Sequence, residues 1–168
     1  MIFLYLYPMA VIYHPTPIGF ARIEDEGDHI LSLTVAESIG DDATGFSAMT
    51  ILAAKQLDEY FAGERKIFDF PFQQRGTDFQ QEVWRNLSNI GYAESISYAQ
   101  LSKRMNNPLA IRAIASANGK NNMWIVVPCH RVIGSDGSLT GYAGGLWRKQ
   151  YLLQLEARVQ GVGQTSLF

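Results

Sequence analysis

The stretch SYAQLSKRMNNPLAIRAIASANG, residues 97–119, decides how this chain is read. Ser97-x-x-Gln100 is a capping box, in which two side chains satisfy backbone N–H groups that a helix start leaves bare. It puts Tyr98 at the first helical position, with Leu101 and Met105 on the buried face. Asn107-Pro108 then opens another helix, and Gly119 closes it. Only a few residues around Asn106 and Asn107 join the two, which is the outline of a helix-turn-helix. Upstream, Thr77-x-x-Gln80 is a second capping box, opening a helix with the core stripe Phe79, Val83, Trp84 and Leu87.

The later helix of the pair carries four alanines and one long basic residue, Arg112. Reading bases in the major groove takes several amide or guanidinium side chains. Ala110, Ala113, Ser116 and Ala117 offer instead a smooth face that phosphate and backbone can approach, with Arg112 as a probe into the base stack. If this helix binds DNA, it should do so with little sequence preference, through the minor groove. The competing reading is that the alanines permit tight helix packing in the core.

The residues before Gly76 read differently. Ala10–His14, Ile18–Glu24 and His29–Val35 are short strands, separated by Pro15-Thr16-Pro17 and by Asp25-Glu26-Gly27-Asp28. Phe46, Met49, Leu52, Ala53, Leu57, Tyr60 and Phe61 recur at helical spacing, with Gly63 as the stop. Phe68–Phe72 is a further extended segment. His14 and His29 have no partners at metal-ligand spacing and read as structural. The expected fold class is therefore α/β in the α+β sense, with an N-terminal scaffold domain over 1–75 and a mostly helical domain over 76–168.

Charge divides at nearly the same place. The net charge of −2 hides −7 over residues 1–74 and +5 over 75–168, which points the later part toward an anion, nucleic acid first. The apolar start, Met1–Tyr13, is interrupted by Pro8, too short to span a bilayer, and without a secretory leader pattern. The expectation is a soluble, cytoplasmic monomer with no membrane contact.

Val127-Pro128-Cys129-His130-Arg131-Val132 holds the single cysteine of the chain, so no internal disulfide is possible. A lone cysteine is commonly an inert small hydrophobe. Here His130 can accept a proton, and Arg131 adds positive charge that favours a thiolate. Glu156 follows Leu152 and Leu153 on the closing helix, Leu146 to about Val159, so its carboxylate lies on or beside the apolar face and needs a partner. His130 is the natural candidate: Glu156 orients the imidazole, which takes the thiol proton directly or through water. Gly141-Tyr142-Ala143-Gly144-Gly145 lacks the spacing of a phosphate-cradling motif and reads as a pocket wall of exposed backbone.

Together, Pro128-Cys129-His130-Arg131-Val132, Gly141–Leu146, Ser97-Tyr98, Arg112 and Asn121 closely resemble the O6-alkylguanine-DNA alkyltransferases, also called methylated-DNA–protein-cysteine methyltransferases. The match is dense from about Thr77 to Glu156. The resemblance implies a small ribonuclease-H-like α/β domain before the helical one. It implies single-turnover, self-inactivating transfer of an alkyl group from O6-alkylguanine, and in some cases O4-alkylthymine, in double-stranded DNA to Cys129. His130 and Glu156 would form the proton relay, and Asn121 would tie the site's turns together. Tyr98 would donate to N3 of the guanine and crowd its phosphate; Arg112 would fill the gap left by the flipped base. Tyr142 would pack on that base, the carbonyls of Cys129 and Val132 would accept from its amine, and the Ala143 amide would contact O6. Lys149 and Trp147 complete the pocket set. Zinc, bound by some relatives, lacks its ligands here, so no metal and no cofactor is expected. Two other classes fit parts of the pattern: a Cys–His–Glu thiol hydrolase, which would leave the helix-turn-helix unemployed, and a lesion-binding module without chemistry, which Cys129 argues against.

Overall fold

A computed structural model describes residues 9–162, and the first eight residues of the apolar start lie outside them. The chain divides into two compact units, residues 1–74 and 75–168. The fold class is mixed α/β.

In the first unit, β1 (Val11–Thr16), β2 (Gly19–Asp25) and β3 (Ile30–Ala36) form an antiparallel meander in that order. Ala21 and Ile23 on β2 and Ile30, Leu33 and Val35 on β3 are buried, as the period of a half-buried sheet requires. Pro15, expected to separate strands, lies within β1 opposite Phe20. It is tolerated because β1 is an edge strand, where the missing N–H breaks no ladder. Helix α1 (Ala48–Phe61) buries Ala53, Leu57 and Tyr60. Phe46, which fits the helical spacing, lies outside the helix and is 78% exposed, because Ser47 and Thr50 form the capping box that begins the helix at Ala48. The extended segment ends in a parallel bridge between Phe72 and Ile30.

In the second unit, α2 (Asp78–Ser88) and α3 (Tyr98–Arg104) begin at the two capping boxes, with Thr77 and Ser97 as N-caps. Trp84 of α2 donates from Nε1 to the carbonyl of Ala117 at 2.9 Å. A side chain at Gly76 would strike the same indole, its Cβ 2.6 Å from Cη2. Helix α4 spans Ile111–Gly119, three residues later than a start at Pro108. Asn106 turns left-handed at φ 52°, and Ala110 N–H closes a separate turn on Asn107 O at 3.1 Å. The proline therefore serves a turn, and the link between α3 and α4 runs from Met105 to Ala110.

Two short strands escaped the sequence reading. Ile96–Ser97 (β4) pairs in parallel with Val132–Ile133 (β5), and Cys129–Arg131 forms a single 3-10 turn just before β5. This pairing carries Tyr98, the next residue after β4, to the turn that holds Cys129. Helix α5 (Leu146–Gln160) ends at Gly161, whose φ of 73° is the usual left-handed stop. Among the described residues, no helix is long and apolar enough to cross a membrane.

Candidate active site

The segment before the cysteine is a chain of tight reversals. Asn121 organises them: its Nδ2 donates to Val127 O at 2.9 Å, and its Oδ1 accepts from Met123 N–H at 3.0 Å. Its own carbonyl accepts from Trp124 Nε1 at 2.9 Å. Ile125, a β-branched residue, is held at φ 72°, a strained angle that persists only where surroundings impose it. Cys129 emerges from this segment 3% exposed. Burial pushes its thiol up to about 11, against smaller opposing pulls from the Asn121 side chain, the Lys149 charge and nearby backbone N–H groups. The resting site thus holds a neutral thiol.

The next residue is an imidazole held by a carboxylate. His130 is fully buried, and its Nε2 meets Glu156 Oε1 at 2.8 Å. With the Nε2 proton given to the carboxylate, Nδ1 carries the free lone pair, and no group among the described residues bonds to it. No hydrogen bond joins the imidazole to the thiol among the described residues. Burial lowers the His130 pKa more than the Glu156 charge raises it, which keeps the ring neutral and able to accept.

Arg131 does something other than the expected support of a thiolate. Its guanidinium takes both oxygens of Glu156 and also donates from Nη1 to Ile90 O at 2.7 Å. The backbone N–H of Ala93, itself at φ 61°, adds a donor to Oε2 at 3.2 Å. Burial alone would raise Glu156, yet His130 and Arg131 together hold it well below the usual carboxylate range. The charge of Arg131 is committed to Glu156, and Lys149 takes the role near sulfur.

Lys149, on α5, is fully buried, with Nζ donating to Val132 O at 2.5 Å and Thr140 O at 2.9 Å. Burial brings its pKa down to about 8, and ionisation of Cys129 pulls it the other way. The pocket carbonyls expected to meet substrate thus already carry one protein donor each: Lys149 on Val132, and the Val132 N–H on Cys129. A carbonyl has a second lone pair, so both can accept once more.

The Thr140–Gly145 loop is fixed by Arg148, whose Nη1 donates to Gly144 O at 2.8 Å, and by Tyr142 packing on Trp124 with ring centroids 5.6 Å apart. Gly144 is obligatory there, since a Cβ would lie 2.9 Å from both rings. Tyr98 and Tyr142 are half-buried, and Ala143 is exposed. Burial, helped by charge on Cys129, raises both phenols, so each stays a neutral hydroxyl.

The structure therefore gathers Asn121, Tyr98, Tyr142 and Lys149 near Cys129, with His130 and Glu156 alongside. Arg112, Ala113 and Ser116 form the exposed face of α4, and Ala110 is half-buried at its N-cap. Ala117 is a correction: it is 3% exposed and lies in the core, its carbonyl bonded to Trp84, so it offers DNA no face. Trp147 is half exposed, its ring stacked on Arg148 with the guanidinium carbon 4.6 Å from the centroid. The sequence reading missed the clasp of Arg131 on Glu156, the Arg148 latch, and Asn118, whose Nδ2 meets Tyr98 Oη at 3.3 Å. Arg131 could have been found from its place beside His130 on one short turn; Asn118 gave no signal beyond its helical register.

A buried thiol, a carboxylate-oriented imidazole and a helix pair with an arginine on its open face are together the features of an enzyme that works through a cysteine. The family model for the DNA-binding domain of 6-O-methylguanine DNA methyltransferase matches residues 78–158. The constitutive methylated-DNA–protein-cysteine methyltransferase of Bacillus subtilis is 43% identical over 150 residues, 84% of this chain and 91% of the relative. The structure of the O6-methylguanine methyltransferase of Mycobacterium tuberculosis superposes with a TM-score of 0.81 at 39% identity, covering 95% of this chain and 97% of the other. A structure of the M. tuberculosis protein in complex with DNA matches with a TM-score of 0.81 at 41% identity, over 90% and 93% of the two chains. The chain belongs to the methylated-DNA–protein-cysteine methyltransferases, enzymes that repair DNA by moving an alkyl group from it to a protein cysteine.

Proposed function

We propose that this enzyme flips an O6-alkylguanine out of double-stranded DNA through the minor groove and takes its alkyl group irreversibly onto Cys129. The observation that carries this reading is the geometry of His130: Nε2 lies 2.8 Å from a carboxylate oxygen of Glu156, which can only accept, and Nδ1 is buried with no hydrogen-bond partner among the described residues, next in the chain to a buried thiol. The thiol proton passes through water to Nδ1, and Glu156 stabilises the imidazolium that results. Sulfur attacks the alkyl carbon, the C–O6 bond breaks, and its electron pair leaves with guanine. The product is a thioether with no easily hydrolysed bond, so each chain acts once.

The surrounding residues have matching tasks. Arg112 fills the space vacated by the base, offsetting part of the few kcal/mol that unstacking costs. Ala113 and Ser116 let the DNA backbone come close, with Ala110 at the helix entry. Tyr98 donates to N3, Tyr142 packs on the extruded ring, and Ala143 N–H meets O6. The second lone pairs of the Cys129 and Val132 carbonyls accept from the guanine amine. Lys103, Arg104 and Lys120 are exposed in the stretch 95–135, which contains no acid, and this suits a sequence-tolerant phosphate surface. The 76–168 domain carries DNA binding and transfer, the 1–75 domain serves as scaffold, and the protein works as a cytoplasmic monomer. The test is a titration with excess methylated duplex: demethylated product should plateau at one equivalent of protein, and continued release beyond one equivalent would exclude the reading.

A further inference from the structure

Asn118 is the single polar residue on the buried face of α4, beside Ile114 and Ala117. A buried amide costs free energy that an apolar side chain in its place would not. The cost is not recovered locally, because Asn118 Oδ1 is buried with no hydrogen-bond partner among the described residues. Its one bond runs from Nδ2 to Tyr98 Oη. A phenol has one proton to give and lone pairs to receive. Asn118 occupies a lone pair and takes no proton, and no protein acceptor among the described residues takes it either.

We infer that Asn118 is a positioning residue for the transfer: by donating to Tyr98 Oη it keeps the phenol proton free for N3 of the alkylguanine. The inference rests on the role proposed above for Tyr98. As the C–O6 bond breaks, the electron pair spreads into the purine ring. A donor already aimed at N3 stabilises that charge without reorganising. The reverse arrangement, with an acceptor at 118, would draw the phenol proton into the protein and silence it.

The test uses the full chain, two variants and two duplexes. Asn118→Asp keeps the shape and replaces the donor by an acceptor; Asn118→Ala deletes the donor. One duplex carries O6-methylguanine, the other O6-methyl-3-deazaguanine, which presents C–H where N3 would be. Single-turnover rates come from the exponential phase and the active fraction from its amplitude, so partial unfolding lowers amplitude and not rate. Wild type should be about tenfold slower on the deaza lesion, the value of one well-placed hydrogen bond. Asn118→Asp should be about tenfold slower than wild type on O6-methylguanine and equal to it on the deaza lesion. Asn118→Ala should show the same pattern more weakly, and it carries the comparison alone if the Asp variant does not fold. If wild type fails to distinguish the lesions, the Tyr98–N3 contact itself is wrong. If wild type distinguishes them but the variants lose equally on both, Asn118 is merely structural and the inference is overturned.

Discussion

Arg131 holds both carboxylate oxygens of Glu156, Nε on Oε2 at 3.0 Å and Nη2 on Oε1 at 2.9 Å, while His130 shares Oε1. The carboxylate is therefore neutralised before any proton moves, and the imidazole beside it can rest uncharged. Glu156→Gln keeps the shape and removes the charge, leaving Arg131 buried without a counter-ion. The variant should lose about 3–5 kcal/mol of stability, the usual cost of breaking a buried pair from one side. Urea unfolding measures the loss. Its transfer rate, normalised to folded protein, should fall at least tenfold, because the imidazolium loses its stabiliser.

Acid should unfold the protein in two stages. His130 has a folded pKa below its ordinary 6.5, so below that pH the unfolded chain binds more protons and stability falls. Glu156 has a folded pKa well below its ordinary 4.5, so its contribution is present above 4.5 and is lost as pH drops toward the folded value. Both slopes have the same sign. Denaturation free energy measured from pH 7 to pH 3 should decline from about 6.5 downward and steepen below 4.5, and Glu156→Gln should lose the second component.

Lys149 gives transfer an alkaline signature. Its ammonium is charged below about 8 and favours the Cys129 thiolate; above that pH the charge goes. The rate ratio of wild type to Lys149→Met should be largest below pH 8 and shrink above it. A ratio that stays constant from pH 6.5 to 9.5 would leave Lys149 only its two carbonyl bonds.

Arg112 is exposed on α4 and acts, in this account, on the DNA stack alone. Arg112→Ala should therefore slow repair of a duplex lesion by at least tenfold, the loss expected when a few kcal/mol of extrusion cost is no longer offset. Reaction with free O6-benzylguanine should change little. Equal losses on both substrates would remove Arg112 from extrusion.

The capping boxes at Thr77 and Ser97 made two helix starts legible to the residue, because N-cap chemistry is local. Pro108 misled because proline suits a turn as well as a first helical turn, and only the left-handed Asn106 distinguishes them. Phe46 fitted a helical period that Ser47 terminates. The pairing of His130 with Glu156 was readable from the need of a buried carboxylate for a partner. The partner of Arg131, the latch of Arg148 on Gly144 and the pairing of Ile96 with Val132 were not readable. The first and last join residues far apart in the chain, for which a single sequence holds little signal, and the Arg148 latch, though only four residues long, depends on how the glycine loop folds back onto α5. Ala117 failed for a related reason: which side of an alanine-rich helix meets the core depends on where Trp84 lands.

The central claim is that the Cys129 sulfur is the final acceptor of the alkyl group. Intact-mass and peptide mass spectrometry after incubation with an O6-methylguanine duplex tests it most directly. The account predicts one added methyl per chain, mapped to Cys129, with Cys129→Ala unmodified yet still binding DNA. A demethylated duplex alongside an unmodified Cys129, or a methyl on any other residue, would contradict it.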